Sequence, residues 1–144
     1  MHWLQPVRAS SVSTGVRPLE AEVLGRADVV FHLAGRAGVR DDGPDVEAAR
    51  RRDNVLAPST VLALNPPDPR LLVTSFSSAY GGVCTVGGVA IPSREDGPRD
   101  PRCGYARSRV LVEERCLVRR ARGGDVTVVR PFTVTGPGHP PTWP

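Results

Sequence analysis

Asp28-Val29-Val30-Phe31-His32-Leu33-Ala34-Gly35 is the stretch that decides the fold of this chain. It is a nearly continuous apolar run that contains β-branched residues and ends at a glycine. Such runs are typical of a strand that is buried on both faces of a parallel sheet. The sequence therefore predicts a strand over residues 27–35.

Two further runs resemble this one. They are Leu71-Leu72-Val73-Thr74-Ser75 and Val126-Thr127-Val128-Val129-Arg130-Pro131. The segments between the strands, residues 45–64 and 105–122, have the composition of amphipathic helices. Strands that alternate with helices at this spacing favour right-handed crossovers and a parallel sheet covered by helices. We therefore predict an α/β fold, a partial Rossmann-like, doubly wound parallel sheet, in a single partial domain over residues 1–144.

Prolines and glycines predict where the elements are interrupted. Pro58 falls inside the first helical segment, so we expect that helix to be kinked or divided near Ala57. Residues 18–24 have the pattern of a short helix, and residues 1–17 are expected to be irregular. The tail that follows residue 136 cannot continue a helix or a strand, and we interpret residues 139–144 as a severed loop.

Charge argues against a nucleic-acid binder. The chain has 19 arginines, no lysine and 15 acidic residues, for a net charge of +4. Only 5% of its residues are aromatic, and the arginines are spread along the chain, whereas nucleic-acid binders concentrate positive charge. The longest basic run, Arg50-Arg51-Arg52, lies in a predicted helix and is interpreted as a solvated face.

Cysteine spacing and hydropathy indicate a cytoplasmic protein. Cys84, Cys103 and Cys116 do not have the spacing of a metal site or of a disulfide framework. A reducing cytoplasm is therefore the default location. We expect no membrane association, because the chain has neither an apolar run approaching the roughly 20 residues of a membrane span nor a signal peptide.

The candidate site lies where the strands end. Ligands of open α/β sheets bind outside the carboxyl ends of the strands, which brings together residues 33–35, 75–82 and 133–138. The second long helix begins beside them. Its Tyr105 and Arg109 are four residues apart and share one helical face.

These segments resemble, in order, five motifs of the extended short-chain dehydrogenase/reductases, in the NAD-dependent sugar-nucleotide epimerase/dehydratase family. Residues 28–35 resemble the strand end that passes under the dinucleotide, and Asn54-Val55-Leu56 resembles Asn-Val-x-Gly. Residues 74–81 resemble Ser-Ser-Ser-x-x-Tyr-Gly. Residues 105–109 resemble Tyr-x-x-x-Lys, and residues 129–137 resemble Arg-Pro-x-x-Val-Tyr-Gly-Pro. Together the motifs cover residues 27–138.

The resemblance implies hydride transfer between a nucleotide sugar and NAD or NADP, with Tyr105 as the acid/base and Arg109 in the position of the lysine. It places the catalytic hydroxyl at Phe76, so its neighbours Ser75 and Ser77 are the candidates for that role. No metal is implied. The cofactor-binding residues implied are Leu33, Ala34, Gly35, Asn54, Tyr105, Arg109, Pro131 and Thr133. Asn54 is also interpreted as a bridge between backbone groups, and His32 as a core or strand-end imidazole.

Three departures from the family pattern bear on activity. The planar guanidinium of Arg109 does not replace a compact ammonium, and Phe76 cannot hydrogen-bond a substrate oxygen. Residues 1–26 contain no strand followed by a glycine-rich turn to receive a pyrophosphate. We therefore expect that the first glycine-rich βα unit and the C-terminal substrate domain are missing, which would leave a hydrophobic sheet edge unpaired.

Three functions remain open at this stage. The first is a truncated or degenerate nucleotide-sugar epimerase/dehydratase, inactive as this chain alone. The alternative is a non-catalytic module that senses nucleotide or mediates protein association. A third is an atypical reductase that uses Ser77 and Arg109. The resemblance also implies a possible homodimer.

Overall fold

The structure, a computed structural model, describes residues 24, 26–38, 40–64, 69–82, 84–86, 88–133 and 136. The predicted irregular segment at residues 1–17 and the predicted severed loop at residues 139–144 lie outside this part of the chain. So does the predicted helix over residues 18–24, apart from its last residue.

The central element is a parallel sheet of three strands, β1 (Val29–His32), β2 (Arg70–Thr74) and β5 (Val126–Val129), in the order β1-β2-β5. All three predicted strands are present; β1 and β5 are shorter than predicted, whereas β2 has the predicted length and begins one residue earlier. Their register places Val30 beside Leu71, and Leu71 beside Val126. The predicted α/β class with a partial Rossmann-like sheet is confirmed.

The first long helix is divided, as its proline predicts. It consists of α1 (Pro44–Arg50), a π-helical segment (Arg51–Leu56) and α2 (Ala57–Leu64). In a regular α-helix the ring of Pro58 would clash with the carbonyl of Asn54. The π-helical segment ends at Leu56, two residues before Pro58, and its wider turn includes Asn54. Such turns are frequent at functional sites.

The second long helix, α3 (Gly104–Ala121), packs on the same face of the sheet as α2. Its start is capped by Cys103, whose sulfur accepts a hydrogen bond from Ala106 N at 3.4 Å. The core between the helices and the sheet consists of Leu62, Leu71, Val73, Val112, Cys116 and Val126. Both helices lie on one face because the chain steps in one direction across the strands, and right-handed crossovers then fall on the same side.

The opposite face of the sheet is open in the described part of the chain. Phe31 is 58% exposed and Leu33 66% exposed. The expectation that β1 is buried on both faces is therefore wrong for this structure. Its apolar run has a partner layer only on the side of Val30, since both described crossover helices lie there.

A short antiparallel hairpin, which the sequence analysis did not predict, follows the end of β2. It consists of β3 (Cys84–Val86) and β4 (Val89–Ile91). Gly88 lies in its turn with φ +78°, a conformation that favours glycine. The Gly87-Gly88 pair between Cys84-Thr85-Val86 and Val89-Ala90-Ile91 was the available signal. None of the helices in the described segments is long and apolar enough to cross a membrane.

Candidate active site

Tyr105 and Arg109 lie together at the start of α3, next to the carboxyl ends of β1 and β2. Each residue is only 6% exposed. The Arg109 Cζ atom lies 5.1 Å from the centroid of the Tyr105 ring. Arg109 Nη1 donates a hydrogen bond of 3.3 Å to the carbonyl of Thr74, the last residue of β2. The cation is therefore held at the end of the central strand.

Gly35 brings the end of β1 to the same guanidinium. A Cβ atom at Gly35 would overlap the Arg109 nitrogens and lie 2.9 Å from its Cζ. A larger residue at position 35 would therefore have to displace the guanidinium from this position. Leu33 and Ala34, which precede it, are exposed. The structure thus brings residues 33–35, Tyr105 and Arg109 to one rim of the sheet.

Phe76 occupies the position at which the family resemblance expects a hydroxyl. Its ring meets the Tyr105 ring edge to face, with 5.7 Å between centroids and 73° between planes. Ser77 begins a short 3-10 helix (Ser77–Tyr80), and its backbone N donates to Pro131 O at 3.1 Å. An aromatic edge, not a hydroxyl, therefore faces the tyrosine from this position.

Ser75 points to the face of the sheet that α3 covers. It lies two residues after Val73 on the helix-covered face, and its hydroxyl donates a hydrogen bond to Glu113 Oε1. The Ser75 hydroxyl is thus bonded to Glu113, and the catalytic role of Ser75 stays a prediction. Side chains alternate along an extended chain, so Ser75 and Phe76 cannot both face Tyr105.

Glu113 is the centre of a buried ionic cluster that the sequence analysis did not identify. Arg130 donates to both of its oxygens at 2.8 and 2.6 Å, and Arg99 Nη1 lies 3.5 Å from Oε2. Burial, the largest single effect, would raise the pKa of Glu113. The hydrogen bonds from Arg130 and Ser75, with the charges of both arginines, outweigh burial and lower this pKa below its ordinary value of 4.5.

The same arginine supports the loop after β2. Arg130 Cζ lies 4.7 Å from the centroid of the Tyr80 ring, and Phe132 stacks on the same ring with centroids 6.1 Å apart. Thr133, one of the predicted cofactor-binding residues, is exposed. The partners of Glu113 lie at least 14 positions away in the chain, so no local pattern pointed to the cluster.

Asn54 is fully buried, at 0% exposure, and bridges three elements. Its Oδ1 accepts from Arg36 N at 2.6 Å, and its Nδ2 donates to Arg36 O at 3.0 Å. Nδ2 also lies 3.2 Å from Ser108 Oγ, which donates to Tyr105 O at 2.7 Å. These contacts agree with the interpretation of Asn54 as a bridge between backbone groups. The side-chain amide of Asn54 faces protein groups, and its part in cofactor binding stays a prediction.

His32 lies near the cationic end of the site. Burial is the main cause that lowers the pKa of His32 below its ordinary value of 6.5, and the charge of Arg109 acts in the same direction. Its Nδ1 is buried and has no hydrogen-bond partner among the described residues. These features favour a neutral imidazole.

A cleft of about 540 Å³ lies elsewhere, along β5, the second half of α3 and residues 93–99. Glu113 and Arg130 line it, but Tyr105 and Arg109 do not. We place the candidate site at Tyr105 because the polar groups converge there. Within the described ranges, no group of three or more metal-ligating side chains lies close enough to hold a metal ion.

Solved structures share this fold. UDP-glucuronic acid 4-epimerase from Bacillus cereus, in complex with UDP-glucuronic acid and NAD, is 25% identical with a TM-score of 0.72, over 85% of this chain and 38% of its own. TunA, an NAD-dependent NDP-hexosamine 5,6-dehydratase of tunicamycin biosynthesis, is 31% identical with a TM-score of 0.71, over 86% and 40%. RMD from Pseudomonas aeruginosa, complexed with NADPH, is 29% identical with a TM-score of 0.67, over 98% and 48%.

The chain therefore spans less than half the length of each of these relatives. No curated protein matches it. Its residues 16–143 match the NAD dependent epimerase/dehydratase family, which agrees with the five ordered motifs and with the parallel sheet. The chain belongs to the NAD-dependent epimerase/dehydratase family.

Proposed function

We propose that this chain forms the tyrosine-bearing part of a nucleotide-sugar epimerase or dehydratase site in a degenerate form, which does not turn over substrate as this chain alone. The observation that carries the proposal is the contact between Phe76 and Tyr105. An acid/base tyrosine of this type works beside a hydrogen-bond donor for the substrate oxygen. Here an apolar ring fills that place and offers no donor.

Arg109 supports the same conclusion. A cation beside a phenol favours its ionised form, which general base catalysis requires. However, this guanidinium lies over the ring face and bonds the Thr74 carbonyl. It is fixed by its planar fork in a way that a flexible ammonium is not. Arg109 therefore keeps the positive charge of the lysine found in the family but not the flexibility of its ammonium group.

The residues present fit the half of an NAD or NADP molecule that carries the nicotinamide and its ribose. Arg109 is buried, its Nε has no partner in the described part of the chain, and Gly35 places only backbone against the guanidinium. A bound cofactor would supply the hydride acceptor. Residues 33–35, Tyr105 and Arg109 would hold it, with Pro131 and Thr133 at the rim.

The proposed substrate class is supported by the solved relatives, one of which holds UDP-glucuronic acid and NAD together. We propose a nucleotide sugar that reaches Tyr105 from the side of residues 76–80. Within the part of the chain that the structure describes, no glycine-rich turn follows a strand in the way a pyrophosphate site requires. Affinity for the cofactor is therefore expected to be weak.

The experiment compares the wild-type chain with Phe76→Ser/Arg109→Lys, with NAD or NADP and UDP-glucuronic acid. Calorimetry measures cofactor binding, and product formation measures turnover. We expect no turnover by the wild type and a gain in the double variant that Tyr105→Phe abolishes. Arg107→Lys, at an exposed position on the same helix, is the matched control. Wild-type turnover that depends on Tyr105 and is unchanged in the double variant would support the atypical reductase instead.

A non-catalytic nucleotide sensor is the second candidate. It is favoured by the same contact between Phe76 and Tyr105, because Phe76 removes the hydrogen-bond donor needed for catalysis but does not occupy the rim of the sheet at Gly35. It predicts cofactor binding by the wild type and no turnover in the double variant. Absence of both heat and thermal shift at millimolar NAD and NADP would exclude it.

A further inference from the structure

Arg50 is the largest fully buried side chain of the described residues, with 1% exposure. The sequence analysis interpreted Arg50-Arg51-Arg52 as a solvated face. That interpretation holds for Arg51 and Arg52, which are exposed, and is wrong for Arg50. A buried guanidinium is unfavourable unless its donors are satisfied, so the groups around it are informative.

Those groups belong to the loop that follows β1. Arg50 Nη2 donates to Gly38 O at 2.6 Å and also to Asp41 O. On its other side, Nη1 donates to Glu47 Oε1 at 2.7 Å, one helical turn earlier. Two carbonyls from the loop and one carboxylate from the helix thus share a single planar group. The guanidinium closes the loop from the inside.

The pair formed by Arg50 and Glu47 also touches the beginning of α3. A Cβ atom at Gly104 would overlap Glu47 Oε1 and lie 2.7 Å from Arg50 Nη1. Gly104 is the first residue of α3 and directly precedes Tyr105. The start of the tyrosine helix therefore rests against this ion pair.

Asn54, four residues after Arg50, holds the other end of the same loop through the backbone of Arg36. The divided first helix thus holds the loop at three points. Asn54 bonds residue 36, and Arg50 bonds residues 38 and 41. Gly35, which approaches Arg109, lies directly before the first attachment point. A shift of the loop would therefore move the glycine relative to the site.

We propose that Arg50 is a positioning residue, which fixes the loop after β1 and the start of α3 relative to each other and so sets the distance between Gly35 and Tyr105. Its part in cofactor binding rests on the proposed function; its part in holding the loop does not. A lysine could not replace it, because one ammonium cannot serve two carbonyls and a carboxylate in the same planar arrangement.

Limited trypsin digestion of the full chain tests the proposal, since the loop contains Arg36 and Arg40. Cleavage after these residues is measured by mass spectrometry relative to cleavage after Arg94, in an exposed loop that Arg50 does not touch. We expect Arg50→Met to raise this ratio roughly tenfold, since local opening becomes easier, and Arg50→Lys to raise it by less. Arg51→Met, at the exposed neighbour, should leave it unchanged.

An unchanged ratio in a folded Arg50→Lys protein would overturn the proposal. If Arg50→Met does not fold, the wild type itself remains decisive, because loop cleavage as fast as that after Arg94 would also overturn it. Titration with NAD is the second readout. We expect the Kd for NAD to be higher in Arg50→Lys than in the wild type and unchanged in Arg51→Met. Equal Kd values in Arg50→Lys and the wild type would refute the link to the cofactor. If the wild type does not bind NAD, the proposed function fails while the trypsin ratio still tests the loop.

Discussion

Arg109 places its guanidinium over the ring face of Tyr105, with 5.1 Å from Cζ to the ring centroid, at the point where β1 and β2 end. This relationship joins two residues one helical turn apart to two strands that are distant in sequence. The fixed positive charge of Arg109 also lowers the pKa of His32, so the position of the guanidinium can be tested in solution.

Removing that charge should raise the pKa of His32. Burial lowers the pKa of this imidazole, and the charge of Arg109 lowers it further. We expect Arg109→Met to move the pKa of His32 back toward 6.5, measured by NMR titration of the ring protons. Arg107→Met, at an exposed position, should leave it unchanged. A pKa of His32 that does not move in Arg109→Met would contradict the placement of the guanidinium.

The same imidazole sets a pH dependence of stability. The folded protein binds the His32 proton less readily than the unfolded chain, because the folded pKa is lowered. The free energy of unfolding should therefore fall as the pH decreases through 6.5 toward the folded pKa. Replacing His32 with Gln should flatten this part of the stability profile, measured by urea denaturation. An equally steep profile in the variant would exclude His32 as its source.

Glu113→Gln should destabilise the protein by about 2 kcal/mol at neutral pH, since it removes charged hydrogen bonds to the half-buried Arg130. The lowered pKa of Glu113 means that its contribution is present above 4.5 and is lost as the pH falls through the folded pKa. The difference between the wild type and the variant should shrink accordingly in acid. Glu114→Gln, at the exposed neighbouring position, is the control, and an equal cost for both variants would refute the buried cluster.

Cys116 should be unreactive toward thiol reagents in the folded protein. Burial is the main cause that raises its pKa to about 11, and the charge of Glu113 adds to this effect. Little thiolate then exists at neutral pH, and the sulfur is also inaccessible. Labelling should modify Cys103, which is partly exposed, before Cys116. Labelling of Cys116 at the rate of Cys103 without denaturant would show that the core is not packed as described.

Replacing Phe31 with Gln should change the stability of the protein much less than replacing Leu71 with Ala. Phe31 lies on the open face with 58% exposure, whereas Leu71 on the neighbouring strand is fully buried. We expect Phe31→Gln to change stability by less than about 0.5 kcal/mol and to reduce self-association, measured by sedimentation. Leu71→Ala should cost about 3 kcal/mol. A large loss of stability in Phe31→Gln would show that this face is covered in solution.

Much of the fold follows from local features of the sequence. Continuous apolar runs marked the three parallel strands, and Pro58 marked the division of the first long helix, because these preferences act over a few residues. Tyr105 and Arg109 could be placed on one face because helical periodicity makes residues four apart neighbours. The order of the motifs identified the family for the same reason, since each motif is a short local pattern.

Only the tertiary structure decided which of three consecutive arginines is buried and which of three consecutive residues, Ser75, Phe76 and Ser77, faces Tyr105. Arg50 differs from Arg51 and Arg52 because the carbonyls of Gly38 and Asp41 come to it from another segment. Ser75 is drawn to Glu113, which lies 38 positions away in the chain. A polar side chain is buried where distant segments supply its hydrogen-bond partners, and that supply is a property of packing and not of local sequence.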